Sequence, residues 1–409
     1  MSVEGAASAS RAASPGPVAI VLGTRPEIVK LAGLVQLLGS SARVVHTGQH
    51  YDEALSDVFL RDLGLPAPHA TLGIGGSSRG VQIGTATAAL DGYLGEHVPS
   101  AVVVQGDTNS ALAGALAANA RALPLVHVEA GLRSHDRRMP EEHNRILIDH
   151  LADVCCAPTA VSRRNLLAEG VPGERITITG NTVVEAVAQG LPAPGERATL
   201  LRRYGLTAGS FVLATLHRPE NVDHPASLGR ILEQLVQIAR SEASLPVLLP
   251  LHPRTSANII RFGLQRLLEP LQTMEPLDYP SFLGLFAESA MAVSDSGGVQ
   301  EEASVLKRPV LVIRRSSERP EVLGTFAELV ESGPGFPQQV RRWLADPAAL
   351  HRQLEQLPSP YGDGSASYRC VQAIRRLVGG QPTTEPGTDS TIGTVSRSIR
   401  LSRYQRSVV

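Results

Sequence analysis

Short, continuously apolar runs recur along this chain, and most of them stop at a glycine or a polar cluster. Val18–Leu22 ends in Gly23-Thr24-Arg25, Arg43–Thr47 in Gly48-Gln49-His50, and Ala101–Val104 in Gln105-Gly106-Asp107. Leu125–Val128 ends in Glu129, and Asp153–Ala157 and Arg175–Thr179 follow, the latter running into Gly180-Asn181-Thr182. Helical spacing fills the gaps: Glu27–Leu38, Glu53–Leu63, a long segment to about Glu96, an alanine-rich segment to about Arg121, and a helix from Pro140. Runs this short, without polar alternation, are strands of a parallel sheet covered on both faces. Ligands of such sheets bind outside the carboxyl ends of the strands. Arg25, Gln49, His50, Asp107, Glu129 and Thr182 are therefore expected along one rim.

The pattern weakens at Gly190–Gly195, read as a linker, and then starts again. Phe211–Thr215 runs into His217-Arg218, Leu245–Pro250 into Leu251-His252, and Ala290–Val293 into Ser294-Asp295-Ser296-Gly297-Gly298. Pro309–Ile313 leads to Arg314, Arg315 and Glu318-Arg319-Pro320-Glu321, and the rest reads as helical to about Leu357, with a last helix at Ala366–Val378. At 409 residues the chain exceeds one ordinary core. The expectation is α/β, with two Rossmann-like domains facing a central cleft. Residues 17–185 form the first, 186–364 the second and 365–379 a final helix, with disordered tails at 1–16 and 380–409.

A net charge of -1 argues against a nucleic-acid or membrane-surface binder, and no apolar run reaches membrane-spanning length. The first sixteen residues lack the apolar block of a signal peptide. Cys155 and Cys156 are adjacent and Cys370 is distant, so neither a disulfide framework nor a zinc pattern is present, and a cytoplasmic setting is expected. Of 38 basic residues two are lysine, Lys30 and Lys307. Lys30 stands out as a site that needs a compact ammonium, whereas Lys307 in its turn reads as chance survival.

Val126–Arg145, VHVEAGLRSHDRRMPEEHNR, is the densest collection of ionisable residues. Asp107, Glu129 and Glu141 are its candidate proton carriers. Glu141 and Glu142 are also favourable acids in a first helical turn, and a Glu141–Arg145 pair is open to them. Asp107 can instead cap the next helix. Glu129 is harder to explain structurally, because nothing local except Arg133 would neutralise it. Ser294–Glu302, SDSGGVQEE, is the candidate anion site: Gly297 and Gly298 admit a phosphate to a helix start, Ser296 adds a hydroxyl, and Glu302 can accept from ribose hydroxyls. Its alternative is a plain Ser/Asp-capped turn. Arg25 and Lys30 place two cations near another helix start, against its dipole, which makes sense if an anion sits there; a solvated Arg and Lys is the alternative. His217 beside Arg218 can meet a diphosphate, and His252 is a weaker candidate of the same kind. No spacing suggests a metal site or a dinucleotide fingerprint.

GTRPEIVK, TGQHYD, QGDTNSALAGALAA, HVEAGLRS, MPEEHNR, TGNTVVEA, HRPEN and SDSGGVQEE, in this order, closely resemble the non-hydrolysing UDP-N-acetylglucosamine 2-epimerases from about Val18 to Val378. The resemblance implies a GT-B-like architecture whose last helix crosses back to the first domain. It implies interconversion of UDP-GlcNAc and UDP-ManNAc through bound 2-acetamidoglucal, with no cofactor and no metal, in a homodimer. By motif, Asp107, Glu129, Glu141 and His217 are catalytic. Arg25, Lys30, Ser296, Gly297, Gly298, Glu302 and Arg319 bind the substrate. Gln49, His50, Arg218 and His252 match an allosteric site. Pro219 and Tyr51 depart from basic residues common in the family. Epimerases of UDP-diacetamido-uronic acids share similar motifs. A GT-B glycosyltransferase and a catalytically silent nucleotide-sugar sensor are the other readings of the same cleft.

Overall fold

A computed structural model describes residues 16–49, 60, 63–240, 245–330 and 335–379. His50, Tyr51, most of the helix expected over 53–63, residues 1–15 of the tail expected at 1–16, and the tail expected at 380–409 lie outside them. The first sheet holds β1 (Val18–Leu22), β2 (Ala42–His46), β3 (Ala70–Thr71), β4 (Ala101–Gln105), β5 (Leu125–Val128), β6 (Val154–Ala157) and β7 (Ile176–Ile178). It is seven-stranded, in the order β3-β2-β1-β4-β5-β6-β7. The second holds β8 (Val212–Thr215), β9 (Val247–Pro250), β10 (Gln272–Met274), β11 (Met291–Ser294), β12 (Val310–Ile313) and β13 (Ala327–Val330). It is six-stranded, in the order β10-β9-β8-β11-β12-β13. Neighbouring strands pair in parallel throughout.

The central strands are buried on both faces, so their successive residues feed different cores. Val18, Ile20 and Leu22 enter one core, while Ala19 and Val21 enter the core on the opposite face. The alanine-rich helix Asn109–Ala120 lies close on the sheet: a Cβ on Gly114 would sit 2.9 Å from Val104 Cγ1 and 3.2 Å from Val21. The last helix, Ala366–Val378, crosses back to the first sheet. Its Cys370, Val371, Ala373 and Ile374 join the core of Val18, Ile28 and Leu31. Gly33 allows that approach, since a Cβ there would lie 2.7 Å from Ser367 Oγ.

Several expectations change. β3, β10 and β13 were not foreseen, and β13 interrupts what read as a wholly helical tail. Half of the expected linker is helical, with Val183–Gly190 and Pro194–Tyr204 leaving 191–193 between them.

In both sheets the strand order reverses once, between β1 and β4 and between β8 and β11. Crevices open at such switch points, beyond the strand ends. The loops there are Gly23–Arg25 and Gly106–Thr108 in the first sheet, and His217–Arg218 and Asp295–Gly298 in the second.

Candidate active site

A buried carboxylate ties the two loops together at each switch point. Glu27 accepts from Gly23 N at 3.0 Å, Thr24 Oγ1 at 2.8 Å and Thr108 Oγ1 at 2.7 Å. Burial raises its pKa to about 7, against those hydrogen bonds. Asp295 accepts from His217 N at 3.1 Å, Arg218 N at 2.9 Å and Asn221 Nδ2 at 3.1 Å. Its Oδ1 lies 3.0 Å from His217 Nδ1. Burial opposes ionisation of Asp295, but His217, Asn221 and the amides outweigh it and lower the pKa. Asp295 therefore fixes the His217 ring and leaves Nε2 as the free edge of a half-buried imidazole. Asp295 was read only as a possible helix cap; its task is set by a contact across the sheet.

Glu129 sits where β5 ends, with φ +68°. That left-handed conformation is uncommon for a residue with a side chain and costs of order 1–3 kcal/mol. Ala130 and Gly131 complete the turn, and a Cβ on Gly131 would lie 2.4 Å from Ser162 O. The turn carries Glu129 into a buried charge cluster. Lys30 Nζ is 2.7 Å from its Oε2 and Arg319 Nη2 3.2 Å from its Oε1, with Gln105 donating to Oε2. Burial is the main cause that raises the Glu129 pKa. Arg133, the neutraliser expected from the sequence, goes elsewhere: it pairs with Asp149 at 2.8 Å and Glu169 at 2.5 Å. Beneath the turn His127 lies fully buried, with Nδ1 2.6 Å from Asp149 Oδ1 and Nε2 2.8 Å from Gly106 O. It braces the loop that carries Asp107.

The expected Glu141–Arg145 pair does not form. Arg145 binds Asp107 at 2.5 Å and Glu142 at 3.0 Å. Glu142 is buried and also accepts from Ser134 N, Ser134 Oγ and His135 N. Glu141 is half-buried and has no hydrogen bond or ion pair among the described residues. Of two adjacent acids, Glu142 builds the loop and Glu141 stays available. Asp107 does not cap its helix; Thr108 does, accepting from Ala111 N at 3.0 Å.

The helix Gly297–Leu306 starts without any side-chain cap, so the plain capped turn is excluded and its first N–H groups remain free. Gly297 is required by packing, since a Cβ would lie 2.6 Å from Arg319 Nη1. Gly298 has no such need: the nearest atom to a Cβ there is Ser296 Oγ at 3.9 Å. Ser296 is half-buried beside it. The acidic pair divides. Glu301 turns to Lys30 at 2.8 Å and Arg319 at 2.8 Å. Glu302 is buried, its Oε2 forms no hydrogen bond among the described residues, and burial pushes its pKa up to about 7 while the neighbouring Tyr279 hydroxyl lowers it. A buried carboxyl group with one free oxygen suits a ligand hydroxyl.

Arg25 is exposed, while Lys30 is buried and held by carboxylates rather than left for a phosphate. His252 lies next to His217, with ring centroids 5.7 Å apart, and its Nδ1 accepts from Arg254 N. Gln49 accepts from Ser110 N at 2.9 Å and Ser110 Oγ at 2.8 Å. Arg218 contributes its backbone to Asp295, and its side chain is half-buried. Lys307 has a structural place after all: it ends its helix at φ +58° and reaches Leu357 O at 2.6 Å. Among the described residues, no group of three His, Cys, Asp or Glu side chains is placed to hold a metal ion, and no helix is long and apolar enough to cross a membrane.

The sequence model of one family, described as UDP-N-acetylglucosamine 2-epimerase, matches residues 38–375. The chain belongs to this family. A UDP-N-acetylglucosamine 2-epimerase of Methanococcus maripaludis is 36% identical over 363 residues, which is 87% of this chain and 98% of that protein. A UDP-2,3-diacetamido-2,3-dideoxy-D-glucuronate 2-epimerase of Pseudomonas aeruginosa is 36% identical over 365 residues, 87% of this chain and 99% of its own length. The crystal structure of the Methanocaldococcus jannaschii UDP-GlcNAc 2-epimerase, in complex with UDP-GlcNAc and UDP, has a TM-score of 0.78 at 35% identity. It covers 88% of this chain and 99% of that chain. The paired parallel sheets are thus those of the epimerase family, and they are GT-B-like.

Proposed function

We propose that this epimerase-family chain interconverts UDP-GlcNAc and UDP-ManNAc. The C2 proton leaves to a carboxylate while the C1–O bond to UDP breaks, giving bound 2-acetamidoglucal. UDP then adds back at C1 and C2 is reprotonated on the opposite face. The observation that carries this reading is the placement of Arg319. It lies 3.2 Å from Glu129 through Nη2, and its Nη1 would sit 2.6 Å from a Cβ on Gly297. One side chain thus joins the carboxylate cluster of the first sheet to the anion-ready helix of the second. Proton transfer and diphosphate departure need that proximity.

Asp107, Glu129 and Glu141 are the proton carriers in this reading, since two faces of C2 require more than one. His217 Nε2, Arg25 and the free helix start stabilise charge gathering on the departing diphosphate. Ser296, Gly298 and Glu302 hold UDP. Lys30 and Arg319 serve Glu129 rather than the phosphate. Gln49, Arg218 and His252 belong to the proposed regulatory site; His50, its fourth candidate, lies outside the described residues. Residues 17–185 and 186–364 are the two halves, closed by 365–379. A homodimer and a cytoplasmic setting belong to the same reading; the three free, buried cysteines suit a reducing compartment.

A UDP-diacetamido-uronic acid is the second substrate, favoured by the equal identity to the Pseudomonas enzyme. NMR of the chain incubated with each sugar decides. Growth of UDP-ManNAc signals from UDP-GlcNAc supports the proposal, turnover of the uronate alone supports the second, and turnover of neither contradicts both.

A further inference from the structure

Beside the proposed proton carriers lies a closed ring of alternating charges. Lys30 Nζ is 2.7 Å from Glu129 Oε2 and 2.8 Å from Glu301 Oε2. Arg319 completes the circuit, with Nη2 3.2 Å from Glu129 Oε1 and Nε 2.8 Å from Glu301 Oε1. All four side chains are buried, and Glu301 is completely so. Lys30 and Glu129 belong to the first sheet's rim, Glu301 and Arg319 to the second's. Asn181 supports Glu301 with a hydrogen bond of 3.1 Å.

Such a ring is an expensive way to join two domains. Burying each ion costs several kcal/mol, and apolar residues of similar volume usually join elements as well or better. Glu301 cannot touch a substrate, since no part of it reaches the surface. Its contacts are the cations that serve Glu129.

We propose that Glu301 is a positioning residue for the epimerisation: it holds Lys30 and Arg319 on Glu129, and completes the working environment of that carboxylate only when the cleft is closed. The proposal rests on the epimerase reading above and extends it to a residue with no role there. Opening the cleft takes Glu301 and Arg319 away together and leaves Glu129 with Lys30 and Gln105. Closing returns both: Glu301 draws part of the lysine's charge and raises the basicity of Glu129, while Arg319 offsets part of that gain, as the substrate is enclosed. The charged groups facing Glu129 are Lys30 from the helix Arg25–Leu38, Glu301 from Gly297–Leu306 and Arg319 from the loop after β12. Tyr361, before the last helix, is a further titratable neighbour. Burial and the Glu301 charge raise the Glu129 pKa, while Lys30 and Arg319 lower it.

The test compares two variants of the full chain by NMR turnover of UDP-GlcNAc across pH. Glu301→Gln keeps the size and deletes the charge. Lys30 then acts on Glu129, and Arg319 on Glu129 and on its other partner Glu318; the Glu129 pKa falls, and the kcat profile moves to lower pH by about one unit. Glu301→Asp keeps the charge but withdraws it. Its profile stays in place while kcat falls on the order of tenfold or more, and UDP affinity holds within about threefold in both variants. A folded Gln variant with an unmoved profile overturns the proposal, as does an Asp variant with wild-type kcat should the Gln variant fail to fold. Wild-type chain that turns over no UDP-sugar overturns the epimerase reading instead.

Discussion

Glu129 shows what one residue's surroundings decide. Its importance was legible from the sequence: an acid directly after a buried strand, beside small residues, with no adequate local partner. Its partners were not legible. Lys30 lies 99 positions away and Arg319 190 positions away, and only the fold brings them together. The nearby Arg133 looked like the neutraliser and serves Asp149 and Glu169. The neighbours Glu141 and Glu142 could not be told apart by spacing, since helical position assigns a face and not a partner. Two other carboxyls make a prediction at this scale. Glu27 and Glu302 are each held at about 7 against a usual 4.5. The folded chain binds their protons more tightly than the unfolded chain, so their contribution to stability is present below about pH 4.5 and lost as pH rises to about 7. Glu27→Gln should flatten the fall in unfolding free energy between those values, by on the order of 3 kcal/mol at most, read as a smaller drop in Tm. A slope equal to that of the unliganded wild type would contradict the assignment.

Among elements, the central strands were legible and three edge strands were not. β3 closes one edge of the first sheet, and β10 and β13 form the two edges of the second. An edge strand is short and partly exposed, so it lacks the unbroken apolar run that marks a strand buried on both sides. Gln272–Met274 and Ala327–Val330 mix polar residues for this reason. The last helix illustrates the opposite case, an element read correctly whose docking lay beyond periodicity. The sequence marked only a helix over Ala366–Val378; its return to the first domain came from the family resemblance and is borne out by the shared core. Ile374 is 0% exposed there. Ile374→Ala should cost about 2–5 kcal/mol in urea unfolding, although the residue follows the whole second sheet in sequence. A loss well below 1 kcal/mol would mean that the helix contributes little to that core.

At the scale of the molecule, two sheets present their switch points to one cleft, and a buried carboxylate straps each pair of loops. The straps have opposite electrostatics: Glu27 is raised toward neutrality, while Asp295 is held ionised behind His217. The first strap anchors a loop, and the second orients a ring toward the cleft. Between them, Arg319 and the charge ring join the halves. In the proposed reaction, this junction removes and returns a proton at C2 while UDP leaves and re-adds. Incubating the full chain with UDP-GlcNAc in D2O, with no sugar acceptor, tests it most directly. Deuterium should appear at C2 of both UDP-GlcNAc and UDP-ManNAc, and Glu129→Gln should abolish the exchange while still binding UDP. Recovery of both sugars without deuterium at C2, from folded protein, would contradict it.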